Sequence, residues 1–331
     1  MMSKTAYLGP TGTFCETALQ QLDSHSAHVP FPTIGAALQA ARNGEVDAAV
    51  IPLENSVEGA IVSTLDELAW GEPLIITAET FLPVEFSLLV RPGSRPDEIK
   101  RVISHPAAHA QCRGFIVREF PGAVLVTAPS TAAAAQEVAE IGAPHDAAIA
   151  APIAARRYGL AEVASRIGDR ADTVTRFVRV GRPGVPPGRT GADRTSLIVF
   201  LREDRPGALA WALTEFSLRG INLTRVESRP TGDGIGNYFF HLDCAGHISE
   251  ARMGEAVSAL HRNSTDVRFL GSYPCAEGSL ARTQPGASEE DFREASSWLA
   301  RIRGTSALSR GEHEPLRLSL RRRPACLRPG R

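Results

Sequence analysis

Between Thr5 and Val180 the chain alternates short apolar runs with stretches whose apolar residues recur at helical spacing. Thr5–Leu8, Ala48–Ile51, Leu74–Ile76, Phe86–Val90, Arg101–Ser104, Val124–Thr127, Ala147–Ala150 and Val174–Val180 read as strands. Ala60–Trp70, Ala107–Phe120 and Thr131–Ile141 read as helices. This alternation predicts an α/β sheet. Glycine and proline then crowd Gly181–Gly191, which reads as a linker. Beyond it the order is strand Ser196–Leu201, helix Gly207–Leu218, strands Ile221–Ser228 and Tyr238–Asp243, helix Ser249–Arg262 and strand Val267–Leu270. That βαββαβ order predicts a small ferredoxin-like domain. Phe292, Ala295, Trp298, Leu299 and Ile302 share one face of an amphipathic helix expected over Glu289–Arg303, and the Arg- and Pro-rich remainder after Gly304 is expected to be disordered.

One strand stands out. Gly220 to Pro230 opens on a turn glycine, alternates apolar and polar residues, and ends on a proline that stops the ladder. Glu227, Ser228 and Arg229 crowd charge and hydroxyl against that stop, which suggests a binding edge.

Composition narrows the classes. The 331 residues are 43% hydrophobic and 22% charged with a net charge of −1, which suits two or three globular domains. No global positive field exists to recruit nucleic acid. The five cysteines form no CxxC or Cys/His cluster, so reduced thiols are expected, with neither a disulfide framework nor a zinc site. No apolar run approaches the ~20 residues of a membrane span, and Met1 to Gly9 lacks the regions of a signal peptide, so a cytoplasmic location is expected.

Four strand-to-helix junctions share one chemistry: Gly9-Pro-Thr-Gly-Thr-Phe14, Glu54-Asn55-Ser56, Ser104-His105-Pro106 and Pro129-Ser130-Thr131. Each places unpaired backbone N–H groups and small polar side chains at a helix start, where anions are favoured. Capping alone explains any one of them. In an open α/β sheet such ends gather at the carboxyl edge of the strands, where ligands sit, so four together favour a cleft for a small polyanion. Neither a phosphate loop nor the dinucleotide fingerprint occurs. On the strand before the linker, period-two alternation puts Thr175 and Phe177 on one face and Arg176 on the other.

Together these residues resemble the prephenate dehydratase family. The likeness runs through Tyr7-Leu-Gly-Pro-x-Gly-Thr-Phe14, Pro52-Leu-Glu-Asn-Ser56 with Gly59, His105-Pro106 with Gln111-Cys112, Ser130-Thr131-Ala132 and Thr175-Arg-Phe177. Thr173 stands where the family often carries asparagine. Gly207-Ala208-Leu209 and Glu227-Ser228-Arg229-Pro230 are similar to the family's ACT regulatory domain.

The resemblance implies a two-lobed catalytic region like type II periplasmic binding proteins over 1–180, with lobes 1–78 plus 161–180 and 79–160. A linker at 181–193, an ACT domain at 194–272 and a helix with tail at 273–331 follow. It implies conversion of prephenate to phenylpyruvate on the route to phenylalanine, with arogenate dehydratase or a non-catalytic amino-acid sensor as alternatives. Thr175 would be the catalytic donor. Thr13, Asn55, Ser56, Ser104, Gln111, Ser130, Thr131, Arg176 and Phe177 would contact substrate, with Phe177 walling the ring; an ion pair is the alternative for Arg176. Phenylalanine would bind near Gly207, Ala208, Leu209, Asn222, Leu223, Glu227, Ser228, Arg229 and Pro230, between ACT domains of a homodimer or homotetramer. No metal or organic cofactor is expected.

Overall fold

In a computed structural model describing residues 2–203, 205–234, 236–278 and 284–304, three sheets carry the fold. The chain begins with β1 (Lys4–Leu8), α1 (Phe14–Leu22), β2 (Ala27–Phe31), α2 (Ile34–Asn43), β3 (Ala48–Asn55), the short β4 (Gly59–Ala60), α3 (Val62–Trp70) and β5 (Ile75–Pro83). It crosses into β6 (Ser87–Val90), β7 (Arg101–Ser104), α4 (Pro106–Gln111), α5 (Arg113–Glu119), β8 (Val124–Thr127), α6 (Thr131–Ala139), β9 (Ala147–Ala150), α7 (Pro152–Tyr158) and β10 (Ala161–Ala164). It then returns as β11 (Val174–Gly181).

The first sheet has the order β2-β1-β3-β11-β5 and the second β10-β6-β9-β7-β8, which makes two α/β lobes joined by two crossings. Both crossings fall later than the sequence suggests. β5 stays hydrogen-bonded to β11 as far as Pro83, and Ala161–Ala164 pairs with β6 in the second lobe. The lobes therefore change over after 83 and between 164 and 174, because strand pairing continues beyond the apolar cores of these runs.

Central strands read as unbroken apolar runs because helices cover both faces. Leu88 and Ile149 lie under α4 and α5, while Leu89 and Ala148 lie under α6 and α7. The helix expected over Ala107–Phe120 breaks at Cys112. Asp169, on the returning segment, fills the gap: its N–H donates to Gln111 O at 2.7 Å and its carboxylate accepts Gly114 N–H at 3.0 Å. The groups freed by the break are thus satisfied.

The third domain follows an irregular segment: β12 (Asp193–Leu201), α8 (Ala208–Ser217), β13 (Leu223–Pro230), β14 (Tyr238–Ala245), α9 (Ala251–Asn263) and β15 (Ser264–Pro274). Its antiparallel sheet has the order β13-β14-β12-β15, the ferredoxin-like arrangement. β15 runs past its expected end at Leu270 to lie across β5. The approach is close enough that a Cβ on Gly271 would stand 2.2 Å from Ile76 O. Ile198, Phe239, Leu270 and Tyr273 of this sheet share one buried cluster with Ile76, Val178 and Val180 of the first. α10 (Glu289–Ile302) follows, with Ser288 and Asp291 forming a capping box, and leaves Trp298 and Ile302 exposed. The tail after Gly304 and Cys326 lie outside the described residues. Cys15, Cys112 and Cys244 are buried free thiols and Cys275 is half-buried. No helix among the described residues is long and apolar enough to cross a membrane.

His241 on β14 is sealed in this seam. Burial, and then the charge of Arg225, push its pKa down to about 4. The unfolded chain takes up a proton below about pH 6.5 that the folded chain refuses until about pH 4. Stability is therefore full above 6.5 and falls as pH drops through that window, by about 3 kcal/mol at its lower end. Thermal melts of wild type and His241→Gln at pH 7 and pH 5 should show a smaller loss in the variant. Equal losses would mean that the ring is not the source.

Candidate active site

Asn55 closes β3 and Thr175 opens onto it from β11, where the two are register partners. Asn55 Nδ2 donates to Thr175 Oγ1 at 2.8 Å. The amide orientation is fixed from its other end, because Asn55 Oδ1 accepts the N–H groups of Val57 and Glu58 at 2.9 and 3.0 Å. Thr175 Oγ1 is thereby an acceptor toward the protein, and no acceptor among the described residues takes its proton. A hydroxyl presented this way is a ready donor to a ligand. Ser56 clamps the same corner: its Oγ accepts Val174 N–H at 3.0 Å and its N–H donates to Val174 O at 2.9 Å.

Contacts from both lobes flank this corner. On one side Gln111 Nε2 donates to Glu58 Oε1 at 2.7 Å across the cleft. A cavity of about 320 Å³ lies there, lined by Val57, Glu58, Gln111, Arg170 and Thr173 among others; it adjoins Asn55 and Thr175 through their chain neighbours, and neither of the two lines it. On the other side Tyr158 Oη donates to Thr11 O at 2.5 Å, and Arg157 pairs with the buried Glu16, which also accepts Gly12 N–H at 2.6 Å. Sequence reasoning missed Glu58 and Arg170. Arg170 is exposed on the cavity and has no ion-pair partner among the described residues. Its signal was faint: a lone arginine in an irregular segment carries no periodicity.

The other expected contacts divide. Thr13 caps α1, accepting Glu16 N–H at 3.3 Å and donating its proton to Leu8 O at 3.0 Å. Ser104 is fully buried and donates to Ile149 O at 2.6 Å. Ser130 caps α6 by accepting Ala133 N–H at 3.0 Å, and Thr131 begins that helix half-buried. His105 caps α4, as its place before Pro106 suggests. These hydroxyls serve as helix and strand ends first.

Two expectations change. Phe177 is only 2% exposed and packs with Tyr7, Leu19, Val50 and Leu82 beneath α1. A bulge between Arg176 and Phe177 accompanies that placement. Arg176 does not reach the cleft either, because alternation turns it to the opposite face of the sheet, against the third domain. There it is 3% exposed and donates to Glu79 at 2.7 Å, Asp243 at 2.5 Å and Tyr273 Oη at 2.8 Å. Arg194 joins Glu79 at 2.6 Å and Ser196 Oγ donates to Asp243 at 2.6 Å. Burial works against the charges of Arg176 and Asp243, yet the pairing prevails. The guanidinium is raised well above its usual range, and the carboxyl is held at about 2 by Arg176 and Arg225.

A second cavity, about 560 Å³, opens in the third domain. Gly207, Ala208 and Leu209 line it, together with Phe240 and Trp70 from the end of α3. Asn222, Leu223, Glu227, Ser228, Arg229 and Pro230 do not line it. Leu223 packs in that domain's core, and Arg229 forks onto both carboxylate oxygens of Asp66 at 3.0 and 2.9 Å. Within one chain, then, the two halves of the expected effector site do not share a cavity.

A model of the prephenate dehydratase family matches residues 5–184, and one of the ACT domain matches residues 195–262. Prephenate dehydratase of Mycobacterium tuberculosis (strain ATCC 25618 / H37Rv) is 45% identical over 312 residues, covering 91% of this chain and 94% of the relative. The crystal structure of prephenate dehydratase in complex with L-Phe from Arthrobacter aurescens superposes with a TM-score of 0.87 at 45% identity, covering 91% of this chain and 99% of that one. A structure described as a novel type of quorum-quenching acylase gives a TM-score of 0.73 at 31% identity, covering 82% and 98%.

Proposed function

The chain belongs to the prephenate dehydratase family, and on that premise we propose that Thr175 is the donor that assists departure of the ring hydroxyl as prephenate becomes phenylpyruvate. The observation that carries this reading is the Asn55 amide, which occupies the acceptor side of the Thr175 hydroxyl and leaves its proton for a ligand. In the reaction the bond from the ring to the carboxylate breaks, carbon dioxide leaves, and the electron pair flows through the ring. The bond to the para hydroxyl then breaks, the hydroxyl leaves as water once protonated, and the ring is aromatic. The driving force lies in the substrate, so the protein has only to hold it and stabilise the leaving oxygen. A well-aimed donor in a dry site lowers such a barrier by about 3 kcal/mol.

Arg170 and the helix starts at Ser104–Pro106 and Ser130–Thr131 supply charge and N–H groups for the two carboxylates. Gln111 and Glu58 close the cleft over the ligand. Nothing in this chemistry calls for a metal or organic cofactor.

Phenylalanine, the pathway's end product, is the effector, and the relative crystallised with L-Phe supports that reading. β13 is an edge strand, so pairing of ACT domains through it, in a dimer or tetramer within the cytoplasm, fits the same picture. The test is an ultraviolet assay of phenylpyruvate formation with and without phenylalanine. Turnover of prephenate that falls as phenylalanine rises is expected. Faster turnover of arogenate would reassign the substrate, and phenylalanine binding without turnover would make the chain a sensor.

A further inference from the structure

The Thr175–Asn55 hydrogen bond sits beside two residues that both reach toward the third domain. Arg176 follows Thr175 on β11, Glu54 precedes Asn55 on β3, and Arg176 and Glu54 are register partners. Across the seam Asp243 on β14 and Arg225 on β13 are register partners as well. Arg176 Nη1 donates to Asp243 Oδ2 at 2.5 Å, while Arg225 stands 3.6 Å from Glu54 and 3.9 Å from Asp243. The charges run as a chain of alternating sign, Arg176–Asp243–Arg225–Glu54, whose two ends are register neighbours on the backbone of β11 and β3.

One member is loose. The Arg225 side chain is only 8% exposed, yet its Nε and Nη2 have no hydrogen-bond partner among the described residues. An underbonded buried guanidinium is costly, and a shift of under about 1 Å would bring it within hydrogen-bond range of Glu54. β13 is placed to make that shift. Its Arg229 grips Asp66 on α3, and the residue that follows the strand, Thr231, lines the 560 Å³ cavity.

We infer that this quartet couples the ACT domain to the catalytic hydrogen bond. Arg176 and Glu54 are positioning residues for Thr175 and Asn55. Arg225 is the movable member, which changes its hold on Glu54 and Asp243 when an amino acid occupies the effector site. The inference rests on the reading of the chain as a regulated dehydratase, which wild-type turnover and its inhibition by phenylalanine test on their own.

The experiment uses the full chain with prephenate as substrate and phenylalanine as probe. Arg225→Gln should keep kcat within about threefold of wild type and still bind phenylalanine in calorimetry, while its half-inhibiting concentration rises at least about tenfold. Arg176→Gln should lower kcat by about ten- to a hundredfold with KM changed less than about threefold, and Arg176→Lys should recover part of the loss. Should Arg176→Gln fail to fold, Asp243→Asn reads the same contact from the other side, with the same split expected. Inhibition of Arg225→Gln at the wild-type concentration would overturn the relay, as would loss of phenylalanine binding in that variant. A raised KM at unchanged kcat in Arg176→Gln or Asp243→Asn would overturn the positioning role.

Discussion

Thr175→Ala is expected to lower kcat by about 10²- to 10³-fold while melting within a few degrees of wild type, the loss typical of one preorganised donor. Among the described residues the hydroxyl makes a single hydrogen bond, accepted from Asn55 Nδ2. Its removal therefore leaves one amide hydrogen to find water in a cleft, a modest structural cost. Thr175→Ser, which keeps the hydroxyl, should retain much of the activity. Steady-state kinetics on the three proteins, with circular dichroism for the fold, decides the matter. Near-normal kcat in Thr175→Ala would remove Thr175 from the chemistry and move attention to Arg170 and the helix starts.

The second large effect is structural. Gly271→Ala is expected to destabilise the chain by about 3 kcal/mol or more, because strain and overpacking act together there. The backbone has φ +135°, which side-chain-bearing residues rarely adopt, and the new carbon would overlap Ile76 O at 2.2 Å. Both atoms belong to backbone held in sheets, so neither can yield cheaply. A differential scanning calorimetry trace should show the transition lowered by roughly 5 °C or more. A shift of under about 1 °C would mean that β15 does not press on β5 as described.

Particular residues show how far the sequence could be read. The strand–helix alternation and the βαββαβ order were legible because apolar runs buried on both sides have no other use, and Leu88–Val90 and Ala147–Ala150 are such runs. β2 was not, since its residues are half-buried or exposed and Pro30 sits within it. Alternation correctly sent Arg176 to the face opposite Thr175. It could not reveal Asp243, 67 positions later, as the partner waiting there. Phe177 illustrates the reverse error. Sharing a face with Thr175 suggests a place beside the ligand, yet Phe177 lies in the buried cluster beneath α1. The break at Cys112 was hidden for a related reason: its remedy, Asp169, comes from a distant loop, and helical periodicity runs straight across the site. Thr175 and Asn55 were both legible as polar residues at strand ends. The direction of the hydrogen bond between them, on which the proposed chemistry depends, needed the backbone amides of Val57 and Glu58.

The cluster that joins Val178 and Val180 to Phe239 and Leu270 bears on how such chains can be recombined. The glycine- and proline-rich stretch near residue 190 looks like a natural place to cut, but the boundary it marks is one of chain path and not of folding. Truncation there would bare an apolar sheet face and strip Asp243 from the guanidinium of Arg176 and Arg194 from the carboxylate of Glu79, leaving those two buried charges only each other. A regulatory domain borrowed from a relative would have to bring matching side chains at Ile198, Phe239, Asp243, Leu270 and Tyr273, or the catalytic half would meet water where it now meets protein. The two halves can be exchanged between chains only as far as the surface between them travels along.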